Sequence, residues 1–321
     1  MKNLTRRLLL VGLTVAGAGV VLAWVIGSQL CAPAPRQIGP PPATLDATEV
    51  VFSSTSGSSI HGWLSRGLAG HGAVLLLHGV RGDQRDMVSR AEFLHRQGYA
   101  VLLIDFQAHG ASPGRQITFG DRESRDVVAA LEYLLRSVPG EHLGVIGVSL
   151  GAAAFVLADN RPPVDAVVLE SMYPTIEQAV TDRLKFHLGS WGPLLQPILL
   201  MQIQPRLGID PDRLRPIDRV GKIGAPLLMI SGTRDEHTPI EETKALFAAA
   251  AAPKELWSVD GAAHVNLHRF AGAEYERRVS EFLKRYLSSI GSASPLVRNG
   301  SMPKGMTMPL STGKFRSSIT L

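Results

Sequence analysis

Between residues 46 and 290 the chain alternates short continuous apolar runs with amphipathic stretches. Ala73–His78 (AVLLLH), Tyr99–Phe106 (YAVLLIDF) and Leu143–Val148 (LGVIGV) read as strands buried on both faces. Val164–Leu169, Pro226–Ile230 and Glu255–Val259 are three more strand candidates. Arg85–Arg96 reads as a helix, and Gly151–Ala158 is a run of small residues directly after a strand. Val127, Ala130, Leu131, Leu134 and Leu135 recur at helical spacing and predict a helix over 121–137. Further helical segments are predicted at 241–251 and 272–288. Ahead of all these, Glu49–Ser54 and Ile60–Leu64 flank Ser56-Gly57 and predict a hairpin. Apolar strands alternating with helices specify an α/β fold, a mostly parallel sheet covered on both faces. Ligands of such sheets sit beyond the carboxyl ends of the strands.

The two ends follow other patterns. Leu8–Ile26 is a charge-free apolar run of nineteen residues. As a helix it is about 28 Å long, close to the thickness of a bilayer core. Lys2, Arg6 and Arg7 precede it and only Arg36 follows nearby. The positive-inside bias then puts the N-terminus in the cytoplasm and the body outside it, periplasmic or extracellular. Two alternatives compete with such an anchor. For a cleaved signal, Ala32-Pro33-Ala34 is a poor cut site because Pro35 would follow it. For a lipoprotein signal, Cys31 follows the bulky Leu30. Residues 33–42 (PAPRQIGPPP) hold five prolines and read as a semi-rigid extended spacer. From Gly291 onward the chain is rich in Ser, Gly and Met without a period, which reads as disorder. The expected organisation is a transmembrane anchor over 1–30, a linker over 31–45, an α/β domain over 46–290 and a disordered basic tail over 291–321.

Composition narrows the function classes. Apolar types make up 45% of the 321 residues and charged types 19%, so the body has the material for a core. The formal net charge of +5 sits at the ends. Lys2, Arg6 and Arg7 contribute +3, and Arg298, Lys304, Lys314 and Arg316 contribute +4, leaving the stretch between at −2. A body of that charge is not a nucleic-acid binder. The single cysteine, Cys31, excludes an intrachain disulfide framework and a cysteine-rich zinc site.

The candidate chemistry lies at strand ends. Gly147-Val148-Ser149-Leu150-Gly151 is G-x-S-x-G between an apolar strand and a small-residue helix, the context that builds a nucleophile elbow. A serine hydroxyl needs a base, and the base needs an orienting carboxylate. Asp235 follows the strand PLLMI, within SGTRDEHTP. His264 follows the strand ELWSV, within DGAAH. The chain order Ser149, Asp235, His264 is one that builds a triad. Glu236 and Glu170 are rival acids, and His237 and His268 rival bases. An oxyanion hole needs two N–H donors. Leu150 N–H supplies one, and Val80 N–H, in His78-Gly79-Val80-Arg81-Gly82, the other. His78 and His109 read as loop-fixing residues. No metal or organic cofactor is implied.

On HGVRG (78–82), DFQAHGAS (105–112), GVSLG (147–151), GTRDEHTP (232–239) and GAAH (261–264), the chain resembles the α/β-hydrolase superfamily over most of residues 50–288. The style is similar to the serine aminopeptidase-like and prolyl-oligopeptidase-like branch, which also holds esterases, lipases and thioesterases. The resemblance implies the same roles, Ser149 as nucleophile, Asp235 as acid and His264 as base. One departure is Val80-Arg81, where esterases with HGGG carry glycines.

The superfamily often inserts a lid where this chain has about 172–215. There LGSWGPLLQPILLMQIQPRLG (188–208) is apolar and interrupted by Pro193, Pro197 and Pro205. Trp191, Leu194, Leu195, Ile198, Leu199 and Met201 are candidates to line an acyl pocket; the alternative is the buried face of a helix. The expected function is a membrane-anchored serine hydrolase acting on a small-molecule or lipid-like acyl ester through an acyl-enzyme. One rival is a peptidase on the same triad, with Glu170 and Glu177 available for a peptide's amino group. The other is a non-catalytic binding protein on a hydrolase fold.

Overall fold

A computed structural model describes Lys2–Ser288; the tail over 291–321 lies outside the described residues. In chain order the elements are α1 (Lys2–Cys31), β1 (Ala34–Pro35), β2 (Ala47–Ser53), β3 (Ser59–Ser65), β4 (Ala73–Leu77), α2 (Val88–Arg96), β5 (Ala100–Ile104), β6 (His109–Gly110), α3 (Asp121–Ser137) and β7 (Leu143–Val148). There follow α4 (Leu150–Leu157), β8 (Ala166–Glu170), α5 (Ile176–Leu188), α6 (Gln196–Leu200), α7 (Ile203–Leu207), β9 (Leu227–Gly232), α8 (Ile240–Ala249), β10 (Lys254–Val259) and α9 (Leu267–Leu287).

The main sheet has eight strands in the order β10-β9-β8-β7-β4-β5-β3-β2. The hairpin β2–β3 is antiparallel and joins β5 antiparallel, and every other pairing is parallel. The central strand shows why. In β4 (AVLLL) every residue is buried, and successive side chains alternate between two apolar layers. Leu75 and Leu77 join the layer made by Val127, Leu131 and Leu134 of α3 and the alanines of α4. Val74 and Leu76 join the layer made by Ala91 and Leu94 of α2 and Val279, Phe282 and Leu283 of α9. Each fully buried leucine of this kind contributes about 1.5–3 kcal/mol. α3 starts where expected because Glu123, itself buried, accepts from Gly120 N–H and Thr118 N–H, both 2.9 Å.

Three sequence expectations change here. α9 begins at Leu267 rather than 272, because Gly272 at φ 49° lets a first turn join the long helix across a kink. The spacer over 33–42 is not free of the body. Proline fixes an extended backbone, and the N–H groups of Ala34 and Arg36, between the prolines, donate to Ala108 and Gly110 carbonyls at 2.8 Å. The segment 188–208 is not one helix. Pro193 and Pro197 break it into a 3-10 turn, Gly189–Leu195, and the short α6.

α1 is long and apolar enough to cross a bilayer over Leu10–Cys31, by length and composition. Its last turns touch the body. Gln202 Nε2 donates to Ala23 O at 3.1 Å, and Arg206 donates to Trp24 O at 2.7 Å and to Ser28 Oγ at 2.6 Å.

Candidate active site

Ser149 stands between β7 and α4 at φ 50°, a strained backbone for a residue with a side chain. The flanking glycines are required by space. A Cβ on Gly147 would sit 2.8 Å from Ala152 Cα, and one on Gly151 2.5 Å from the Leu77 carbonyl oxygen. Strand, turn and helix therefore close up around the serine, and Ser149 N–H is held by Glu170 O at 2.8 Å. The 78–82 loop passes alongside, so that a Cβ on Gly79 would lie 3.7 Å from Ser149 Cβ.

Asp235 and His264 come together from the ends of β9 and β10. His264 Nδ1–H donates to Asp235 Oδ2 at 2.8 Å. Thr238 Oγ1 donates to the same oxygen at 2.8 Å, while the N–H groups of His237 and Thr238 donate to Oδ1 at 2.9 Å. Burial alone would raise this carboxyl, but the hydrogen bond and charge of His264 and the Thr238 donors outweigh it and hold it below its ordinary value. Asp235 is buried and ionised, with four donors fixing it.

Ser149 and His264 line one cavity of about 890 Å³, together with Val80 and Leu150. Neither Val80 N–H nor Leu150 N–H donates to a backbone carbonyl among the described residues. The rivals are placed elsewhere. Glu236 is exposed. Glu170 is sealed in an ion pair with Arg90, Nη2 to Oε2 2.6 Å. His268 is held on α9 by Glu276 at 3.1 Å, outside the cavity lining. His78 fixes its loop: Nδ1–H donates to Gly79 O at 2.7 Å and Nε2 accepts from Phe106 N–H at 3.2 Å. Burial, then the neighbouring His109, lowers the His78 imidazole to about 3.

His237 stacks on His264, ring centroids 5.1 Å apart. Burial, then Arg183 and His264, lowers it to about 4. It is a neutral part of the cavity wall beside His264. The acid limb of kcat/KM against pH is therefore expected to follow one proton, with a midpoint unmoved by His237→Asn. A limb of two protons, or a midpoint that travels with His237→Asn, contradicts a neutral His237.

The apolar lining departs from expectation. Of Trp191, Leu194, Leu195, Ile198, Leu199 and Met201, only Leu199 lines the cavity; the other five are exposed. The proline-broken segment has no continuous face to offer. α5 supplies the wall instead, through Ile176, Val180, Leu184 and Leu188. Ile26, Gly27, Leu30 and Cys31, from the end of α1, complete it. No local pattern marks those α1 positions, because the contact is set by tertiary packing alone.

Likeness to other proteins agrees with this geometry. The family described as Hydrolase_4, serine aminopeptidase S33, matches residues 69–212. An uncharacterized protein of Mycobacterium tuberculosis (strain ATCC 25618 / H37Rv) is 32% identical over 221 residues, 67% of this chain and 72% of that one. The alpha/beta hydrolase domain-containing protein WAV2 of Arabidopsis thaliana is 27% identical over 196 residues, 58% of this chain and 61% of that one. Among solved structures, an esterase of Pyrococcus furiosus superposes with a TM-score of 0.67 at 26% identity, covering 80% of this chain and 99% of that one. Strand order, turn geometry and these likenesses lead to one conclusion: the chain belongs to the α/β-hydrolase superfamily.

Proposed function

We propose that the protein is a serine hydrolase that cleaves a carboxylic ester or related acyl bond, anchored in a membrane by α1 with its body outside the cytoplasm. The observation that carries this reading is the meeting, in one cavity, of a serine on a strained turn and a histidine oriented by a buried carboxylate. In the mechanism, His264 Nε2 takes the proton from Ser149 Oγ as that oxygen attacks the acyl carbon. Asp235 keeps the proton of the imidazole on Nδ1 and balances the charge of the imidazolium. The N–H groups of Val80 and Leu150 receive the oxyanion. His264 then gives the proton to the leaving alcohol, and water, activated by the same base, hydrolyses the acyl-enzyme.

Charge in the cavity favours an ester over a peptide. Arg81, Arg90, Arg183, Arg206 and Arg269 line it, Arg90 being paired with Glu170, and Asp86 is the sole acid among its lining residues. Glu170, a candidate for a peptide's amino group, is occupied by Arg90. Glu177 faces Arg215 at 3.7 Å and lies outside the lining. An ammonium group entering this cavity meets like charge and no carboxylate pair. The description of the matched family favours the second reading, an aminopeptidase on the same triad. A panel of p-nitrophenyl acyl esters and aminoacyl anilides separates the two. The ester reading expects kcat/KM higher on the esters by roughly 100-fold or more. Preference for the anilides overturns it.

A further inference from the structure

We propose that the face of the α5–α7 insertion beside α1 seats on the leaflet in which α1 ends, and that the cavity takes acyl-ester lipids directly from that leaflet. This rests on the reading of an anchored serine hydrolase and adds the source of its substrate.

Four observations carry it. First, α1 is part of the cavity and not only a tether. Ile26, Gly27, Leu30 and Cys31 line the same space as Ser149, so the wall between substrate site and bilayer is the membrane helix itself.

Second, the depth of attachment is fixed. The body grips α1 from Ala23 onward, through Gln202 and Arg206, and Arg81 Nη1 donates to Gln29 O at 3.0 Å. Ala23 and Trp24 lie within the apolar run, which ends at Ile26. The gripped length, Ala23 to Cys31, is about 12 Å at helical rise. It spans the end of the hydrocarbon and the headgroup layer, so the insertion is drawn down to that layer. Arg206 lies over the Trp24 ring at 4.1 Å, an aromatic and a cation together at the depth where membrane proteins place both.

Third, the insertion presents an apolar face to the outside. Trp191 is 78% exposed, Leu194 68% and Met201 77%. α6 packs on α1, so the segment that carries this patch lies against the anchor. Fourth, the composition fits a lipid surface. Residues 186–206 contain no Asp or Glu, and their one formal charge is Arg206.

The test uses the full chain reconstituted in phosphatidylcholine–phosphatidylglycerol vesicles. The variant is the triple substitution Trp191→Ser, Leu194→Ser and Met201→Ser, none of which lines the cavity. Three readouts are taken: hydrolysis of soluble p-nitrophenyl butyrate, hydrolysis of a long-chain diacylglycerol carried in the vesicles, and quenching of Trp191 by brominated lipid, with Trp191→Phe as reference. The expected result is a soluble-ester rate within about twofold of wild type, a vesicle-ester rate down about tenfold or more, and Trp191 quenched in the wild type. The retained soluble rate shows that the variant folds. Equal rates on the vesicle ester, an unquenched Trp191, or a patch that holds a second copy and releases it on substitution each overturn the proposal. If wild type cleaves neither ester, the hydrolase reading and the lipid source fall together, and the quenching still decides the seating of this face.

Discussion

Asp235→Asn is expected to lower kcat on a soluble ester by about 10⁴-fold with the fold intact. The substitution keeps the shape and the backbone N–H contacts of His237 and Thr238 on Oδ1, while at the Oδ2 position an NH₂ group replaces an acceptor and Thr238 Oγ1 turns from donor to acceptor. In the wild type His264 Nδ1–H donates to Oδ2 at 2.8 Å. With Thr238 N–H and His237 N–H both pointing at Oδ1, the amide oxygen stays there and the NH₂ group faces His264. A donor against Nδ1 selects the tautomer with its proton on Nε2, which cannot take a proton from Ser149. At about 1.36 kcal/mol per decade, the loss corresponds to roughly 5.5 kcal/mol of transition-state stabilisation. Steady-state kinetics beside circular dichroism checks it. A variant within about tenfold of wild type shows that Asp235 does not set the His264 tautomer.

Glu170→Ala is expected to destabilise the body by about 3–5 kcal/mol and to lower the midpoint of thermal unfolding by about 10 °C. Arg90 and Glu170 side chains are 2% and 1% exposed. Arg90 donates through Nε to Oε1 at 2.9 Å and through Nη2 to Oε2 at 2.6 Å, and Tyr275 OH donates to Oε1 at 2.5 Å. Arg90 Nη1 also donates to Asn266 Oδ1 at 3.1 Å. One carboxylate thus ties α2, β8 and α9 together, and its own carbonyl holds Ser149 N–H. Removing it strands a buried guanidinium. The paired replacement Arg90→Met with Glu170→Met is expected to lose less than Glu170→Ala, because no charge is left alone. Differential scanning fluorimetry of the full chain in detergent reads both. Equal stability of Glu170→Ala and wild type contradicts a structural ion pair.

The inner parallel strands β4, β5, β7, β8 and β9 were legible because each is built on a continuous apolar run flanked by turn residues. Leu143–Val148 and the helix over 121–137 fall where the pattern puts them. Ser149, Asp235 and His264 were legible for a related reason. In a parallel sheet the residues just after each strand converge on one edge, so an acid after β9 and a histidine after β10 are brought side by side. Sequence spacing alone did not reveal the Arg90–Glu170–Tyr275 cluster, although a glutamate ending the buried run AVVLE demands a partner somewhere in the fold. Nor did it reveal which apolar residues face the cavity. Prolines in the 188–208 segment break the period on which such an assignment depends, and the α1 wall is made by residues distant in the chain from everything else in the site.

In the proposed mechanism His264 activates Ser149. Fluorophosphonate labelling of the full chain in detergent, beside Ser149→Ala and His264→Ala, tests it most directly. Wild type is expected to be labelled at Ser149, labelling to vanish in Ser149→Ala, and the rate to fall by about 10³-fold or more in His264→Ala. A folded wild-type protein that takes no label, or a label that persists in Ser149→Ala, contradicts it.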